Sequence, residues 1–339
     1  MTVFYNNSKK YDDLLSEYAV KSTDATRKEK EEDDPIRNPF QLDRDRIIHS
    51  KSFRRLKRKT QVYISPEKDH YRTRLTHTLE VTQIARTIAR ALNLNEDLAE
   101  AIGLAHDLGH TPFGHLGEKV LNELNPKGFK HYEQSVNVVT YLENSRKRQG
   151  LNLTDQTIDG IAHHSGENIS KTLEGRLIKF SDRIAYINHD IDDSIRAKII
   201  SEDDLPDYIT SKLGHRGSER INYLVTDLIS NSYGKNEIKM SDETYKLMDD
   251  LRNYMFENVY YNPVVRQDDE KVEYILESLY TYYKKDLARL PQSHLTIYKN
   301  KSLQDKTDDD IVTDYIAGMT DSFARSIYLD IFIPKSWQI

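Results

Sequence analysis

Three histidines and an aspartate fall within ten positions, in the run Ala105-His106-Asp107-Leu108-Gly109-His110-Thr111-Pro112-Phe113-Gly114-His115. His77 upstream and Asp182 downstream complete a set of two imidazoles and two carboxylates with the His106-Asp107 pair. Such a mixed nitrogen and oxygen set suits a divalent first-row ion with positions left open for water and substrate. An ion of that kind activates water against a phosphate ester. The chemistry expected is metal-dependent hydrolysis. Residue types alone leave the metal open among manganese, magnesium, iron, cobalt, nickel and zinc.

Each member says less alone than the set does. His106 and Asp107 lie about 100° apart at a helix end, so both reach one ion only from the rim. Asp182 sits among Ile178, Phe180, Ile184 and Ile187, where an unpaired carboxylate is costly to bury. A metal resolves that cost, and so would a salt bridge to Arg183 or another arginine. His115 and Glu118, three apart, face the same side of a helix starting near Pro112. A carboxylate on one imidazole nitrogen fixes the tautomer and raises the basicity of the other. His115 is thus the candidate proton-transfer group, oriented by Glu118.

The elements that must position these groups are helical. Leu75, Leu79, Thr82, Ile84, Ala85, Ile88, Ala89 and Leu92 recur at spacings of three and four, predicting an amphipathic helix around His77. Asn95 is an expected N-cap for the helix that ends near Ala105, and Thr111-Pro112 is expected to restart one. Further helical patterns cover 133–144, 155–164, 173–198, 218–232, 242–260, 269–287 and 308–329. One short β-hairpin near 60–71 is suggested by Val62, Tyr63 and Ile64. The expected fold is all-α. A polar N-terminal arm is read over 1–40, with a charge run at 27–34 as a solvated helix or mobile segment. A core holding the metal site is read over 41–205 and a C-terminal helical region over 206–339, the whole forming one continuous globular unit.

Composition narrows the setting. Charged residues make up 31% of the 339, and the formal charge is −6, so any polyanion affinity must be local. Cysteine is absent, which excludes disulfides, thiolate ligands and cysteine nucleophiles. No apolar run approaches the ~20 residues that span a bilayer. A cytoplasmic protein without membrane association is expected. The strongest local patch is Lys51 to Thr60, with six basic residues in ten. It reads as a solvated helix face or as a site for a triphosphate, a regulatory nucleotide or single-stranded nucleic acid.

The run from His106 to Glu118, together with Phe53-Arg54-Arg55-Leu56-Lys57-Arg58-Lys59-Thr60-Gln61-Val62, Arg74-Leu75-Thr76-His77, Asp182 to Asp193 and Asp314 to Asp321, resembles the HD-domain phosphohydrolases. More narrowly it resembles the bacterial dGTPase-like branch, the deoxynucleoside triphosphate triphosphohydrolases. The likeness spans about residue 40 to 330. It implies an HD-domain helical fold with additional C-terminal helices that complete the nucleotide pocket. The reaction implied is hydrolysis of a dNTP to the deoxynucleoside and inorganic triphosphate, with attack at the α-phosphorus and departure of the 5′-oxygen.

Carried over position by position, the resemblance makes His77, His106, Asp107 and Asp182 the metal ligands. His115 with Glu118 becomes the acid/base pair, and His110 lines the phosphate site. Arg74 would contact the triphosphate through its bidentate fork. Gln61 would help select the sugar or base, and Asp190 would reach the 3′-hydroxyl. His131, Arg183, Tyr186, Arg252 and Tyr260 fall to the nucleotide pocket. A homo-oligomer and a regulatory nucleotide are implied as partners. Two alternatives stand beside this reading. One is another HD phosphohydrolase, acting on a nucleoside monophosphate, a cyclic dinucleotide or an alarmone. The other is a nucleotide sensor or single-strand-binding protein built on the basic run.

Overall fold

A computed structural model describes residues 10–63, 71–144 and 148–335. The chain is all-α. In chain order its longer helices are α1 (Pro39–Ile48), α2 (Arg74–Ala91), α3 (Glu96–Ala105), α4 (Gly114–Leu124), α5 (His131–Asn137), α6 (Asp155–Ala162) and α7 (Leu173–Arg196). They continue with α8 (Asp207–Leu213), α9 (Gly217–Ser232), α10 (Asp242–Met255), α11 (Asp269–Lys285), α12 (Asp308–Ala317) and α13 (Asp321–Phe332). No sheet forms among the described residues, where pairing is limited to isolated bridges. One of these joins Thr60 to Thr73, at the base of the expected hairpin; residues 64–70 lie outside the described residues.

The helices sort into two units, each assembled from three stretches of chain. Unit 1 comprises 1–50, 76–106 and 152–266; unit 2 comprises 51–75, 107–151 and 267–339. In unit 1, α3 packs on α1, α6 and α7, and α7 also receives α9 and α10. Its core includes Phe40, Ile84, Ile88, Leu98, Ile102, Leu177, Ile178, Ile184 and Leu251. In unit 2, α11 packs on α4, α12 and α13 around Phe113, Val120, Leu121, Leu276, Leu279 and Ile316. Each unit therefore buries its own apolar stripe.

Local chemistry explains most helix ends. The Asn95 side chain accepts from Leu98 N–H (3.1 Å), as an N-cap should. Its own N–H and that of Val20 both donate to Glu174 Oε1 (2.9 and 3.0 Å), which ties the N-terminal segment to the start of α7. The charge run at 27–34 forms no helix. Arg27, at its start, is held by Asp43 Oδ1 (2.5 Å) and donates to the Pro39 carbonyl (2.7 Å).

Four sequence expectations are corrected here. Leu79 is 49% exposed, and Leu75 is only half-buried; the buried stripe of α2 runs through His77, Thr78, Val81, Ile84, Ala85, Ile88 and Ala89. Leu79 lies about 200° round the axis from His77, so it cannot share that face. The helix expected at Pro112 starts at Gly114, because Phe113 takes a left-handed conformation (φ 62°) as its ring enters the unit 2 core. The single pattern at 308–329 is broken at Gly318 to Thr320, where Thr320 N-caps α13 by accepting from Phe323 N–H (3.3 Å). The pattern at 242–260 is α-helical only to Met255 and ends in a π-turn over Phe256–Tyr260.

Candidate active site

In unit 1, three separate elements deliver the proposed ligands. His77 is in the first turn of α2, His106 caps the end of α3 and Asp182 lies in α7. His77 Nε2 stands 3.0 Å from Asp182 Oδ1, and His106 Nε2 stands 3.9 Å from the same oxygen. Both imidazoles are buried, with ring centroids 5.7 Å apart. His106 Nδ1 meets the Gly103 carbonyl at 2.7 Å, which fixes it as the protonated nitrogen and leaves Nε2 to present a lone pair toward Asp182. Two imidazoles converging on one carboxylate are a donor set that fits a divalent first-row ion.

Farther along α7, Tyr260 Oη donates to Asp190 Oδ2 (2.5 Å), a bond made by the π-turn that follows α10. Tyr186 is half-buried between these groups in sequence; burial first, and the Asp182 charge next, push its phenol up to about 12. Arg183 donates to Tyr245 Oη (3.2 Å) and lies over that ring. Arg252 lies over Phe256, 5.0 Å from the ring centroid.

Unit 2 carries the other expected groups. Asp107 follows His106 directly and accepts from Arg74 Nη1 (2.7 Å), both side chains being buried. Among the described residues, Arg74 Nε and Nη2 have no hydrogen-bond partner, nor does either ring nitrogen of His110 or Gln61 Oε1. Buried polar groups left so are rare and expensive, and five such atoms on three side chains mark a place built for a polar ligand. Burial, reinforced by Arg74, holds the His110 pKa well below the ordinary imidazole value, so its ring is neutral.

Glu118 is the hub of this group. His131 gives it the closest contacts, with Nδ1 at 3.0 Å from both carboxylate oxygens and its N–H on Oε1 at 3.0 Å. His115 Nδ1 stands at 3.8 Å, and its side chain is 79% exposed. His110 stacks on His131 with centroids 4.9 Å apart. Burial works against charge on Glu118, yet the imidazoles of His115 and His131 hold it well below the usual carboxylate range. Burial also opposes charge on His131, and Glu118 overcomes it to raise the imidazole pKa.

Gly109 permits the loop between the two HD residues and His110 to lie against α5. A Cβ there would fall 2.1 Å from the Ser135 nitrogen, and the Gly109 N–H donates to Ser135 Oγ (2.9 Å).

Residues 74–187 match the HD domain, and residues 238–329 match the phosphohydrolase-associated domain. A protein of Caldanaerobacter subterraneus subsp. tengcongensis is 52% identical over 325 residues, covering 96% of this chain and 94% of its own. One from Clostridium perfringens is 50% identical over 314 residues (90% of each chain), and one from Desulfatibacillum aliphaticivorans is 45% identical over 339 (95% of each). All three are named deoxyguanosinetriphosphate triphosphohydrolase-like protein.

The chain belongs to the deoxyguanosinetriphosphate triphosphohydrolase-like family of HD-domain proteins. The HD match begins at Arg74 and ends just past Tyr186, enclosing His77, His106, Asp107 and Asp182. The associated domain encloses Arg252 and Tyr260. His164, which motif spacing does not single out, is buried with its ring centroid 5.0 Å from that of His106. Its Nδ1 meets the Ile161 carbonyl at 2.7 Å, the same tautomer-fixing bond that His106 makes. The adjacent pair His163-His164 was the available signal. No helix among the described residues is long and apolar enough to cross a membrane.

Proposed function

We propose that this protein hydrolyses deoxynucleoside triphosphates, dGTP or a broader set, to the deoxynucleoside and inorganic triphosphate. In this reading His77, His106, Asp107 and Asp182 hold a divalent metal. The convergence of His77 and His106 on Asp182, in a chain of this family, is the observation that carries it. When bound, the metal supplies Lewis acidity to water and to the phosphoryl oxygens.

The protein's own groups have distinct tasks. Arg74 keeps Nη1 on Asp107 and offers Nε and Nη2 to the triphosphate, a fork matched to phosphoryl oxygens. Neutral His110 adds one N–H donor without competing for the metal. His115, exposed at the start of α4, protonates the departing 5′-oxygen, and Glu118 sets its orientation. Asp190, braced by Tyr260, accepts from the sugar 3′-hydroxyl, while Gln61 reads the sugar or base. His131, Arg183, Tyr186 and Arg252 line the nucleotide pocket, so the region 206–339 contributes Arg252 and Tyr260 to it. The site acts in the cytoplasm.

The test is incubation with each of the four dNTPs and GTP across several divalent metals, with products separated. Release of triphosphate and deoxynucleoside is expected, dependent on metal. Exclusive turnover of a monophosphate, a cyclic dinucleotide or an alarmone would transfer the protein to another branch of HD chemistry.

The basic run supports a second ligand. Arg54, Arg55, Lys57 and Arg58 line a cavity of about 1280 Å³ within unit 2. A concentration of cations on a chain of net charge −6 suits a compact polyanion. A regulatory nucleotide acting in a homo-oligomer fits better than single-stranded nucleic acid, which needs a long open groove. Lys57→Glu is expected to abolish activation by a second dNTP while sparing basal turnover. Equal activation in the variant would refute the regulatory role.

A further inference from the structure

The break between α12 and α13 is held by a buried lysine and a buried aspartate that also hold the loop bearing His110. The Lys59 side-chain nitrogen, in a residue 2% exposed, donates to the Ala317 carbonyl (2.9 Å), the last of α12, and to the His110 carbonyl. Asp321, 3% exposed at the first position of α13, accepts from Thr60 N–H on Oδ2 (3.0 Å) and from Phe113 N–H on Oδ1 (2.9 Å). Arg55 donates to the next carbonyl, Gly318 (3.1 Å). One lysine and one aspartate thus connect the same three stretches of unit 2: 59–60, 110–113 and 317–321.

These contacts are more than packing requires. A buried lysine is costly unless its donors are used; here burial lowers its pKa to about 7, and its donors go to backbone carbonyls rather than to a carboxylate. A lysine at a helix C-terminus is favourable, but helix capping does not explain why the same atom also takes the His110 carbonyl. At the other end of the loop, Phe113 and Gly114 both have positive φ (62° and 60°). A left-handed phenylalanine persists only where its surroundings impose it, and Asp321 bonds its N–H directly. Asp314, from the same segment, is engaged elsewhere, by Gln134, Tyr141 and Tyr298.

We infer that Lys59 and Asp321 are positioning residues that fix the loop His110–Gly114 and thereby aim His110 and the start of α4 at the substrate. The inference rests on the functional reading above for its catalytic consequence, and on the hydrogen bonds alone for its structural one. It gives the C-terminal segment Ala317–Asp321 a task in the reaction without placing it on substrate.

The test pairs turnover with amide hydrogen exchange in Lys59→Met, Asp321→Asn and the double variant. Each single change is expected to lower kcat ten- to a hundredfold with KM and metal content within twofold of wild type. The double variant should be little worse than either, because both act on one loop. Exchange should accelerate in residues 110–116 while α11 stays protected. A purely structural role would instead lower metal content and active fraction together, leaving turnover per metal-loaded molecule unchanged, and would overturn the inference. So would wild-type exchange across the loop in both single variants. Should Lys59→Met not fold, Asp321→Asn carries both arms, since it keeps one acceptor oxygen. If the wild-type protein releases no triphosphate, the functional reading fails, and the exchange arm still decides whether the two residues fix the loop.

Discussion

Glu118 stands 3.0 Å from His131 and 3.8 Å from His115, so one carboxylate serves two imidazoles of different exposure. In the proposed reaction the exposed ring, that of His115, is the one assigned to the leaving oxygen. His115→Ala is therefore expected to cut turnover by about 10²- to 10⁴-fold, the usual range for a lost general acid, with bound metal unchanged by elemental analysis. Asp107→Ala should lose metal and turnover together. It also strands buried Arg74, so a loss of about 3–5 kcal/mol in stability is expected from denaturant titration. Full metal and activity in Asp107→Ala would remove it from the ligand set. At this scale the sequence was readable where spacing and type coincide: the structure brings His77, His106 and Asp182 together. Lys59 and Asp321 were not readable, because their partners are backbone atoms from stretches far apart in the chain. His164 was hidden by the ordinary look of a histidine at a helix end.

Periodicity located the helices but not their interruptions. The break at Phe113 comes with a tertiary bond from its N–H to Asp321, which no local pattern encodes, whereas the break at Gly318 to Thr320 carries a local signal in the Thr320 N-cap that periodicity alone does not weigh. The π-turn at Phe256–Tyr260 likewise follows a pattern that reads as unbroken helix. Caps were legible, as Asn95 illustrates, because their bonds are local. The junction beside that cap also makes a pH prediction. Burial of Glu174 pushes its carboxyl up to about 7 from an ordinary 4.5, despite N–H bonds from Asn95 and Val20. A raised folded-state pKa favours the protonated form, so its stabilisation is complete below about 4.5 and is lost as pH rises through about 7. Glu174→Gln keeps the accepting oxygen and removes the titration. It is expected to match wild type at pH 4 and to exceed it by on the order of 2 kcal/mol at pH 8. Thermal melts at both values check this; a variant less stable than wild type at pH 8 would contradict it.

At the scale of the molecule, two units are interleaved along the chain, with changes of unit at 50/51, 75/76, 106/107, 151/152 and 266/267. Composition shifts could not reveal this, since both units share the same amphipathic helical code and each is discontinuous. One change falls between His106 and Asp107, and another lies between Arg74 and His77. In the proposed reaction such a chain releases triphosphate whole. This is tested most directly by following dGTP turnover in ¹⁸O-water with metal present, reading the phosphorus products by NMR. Inorganic triphosphate carrying one ¹⁸O at a terminal phosphorus is expected, beside unlabelled deoxyguanosine. Pyrophosphate with dGMP, orthophosphate with dGDP, or label in the nucleoside hydroxyl would contradict it.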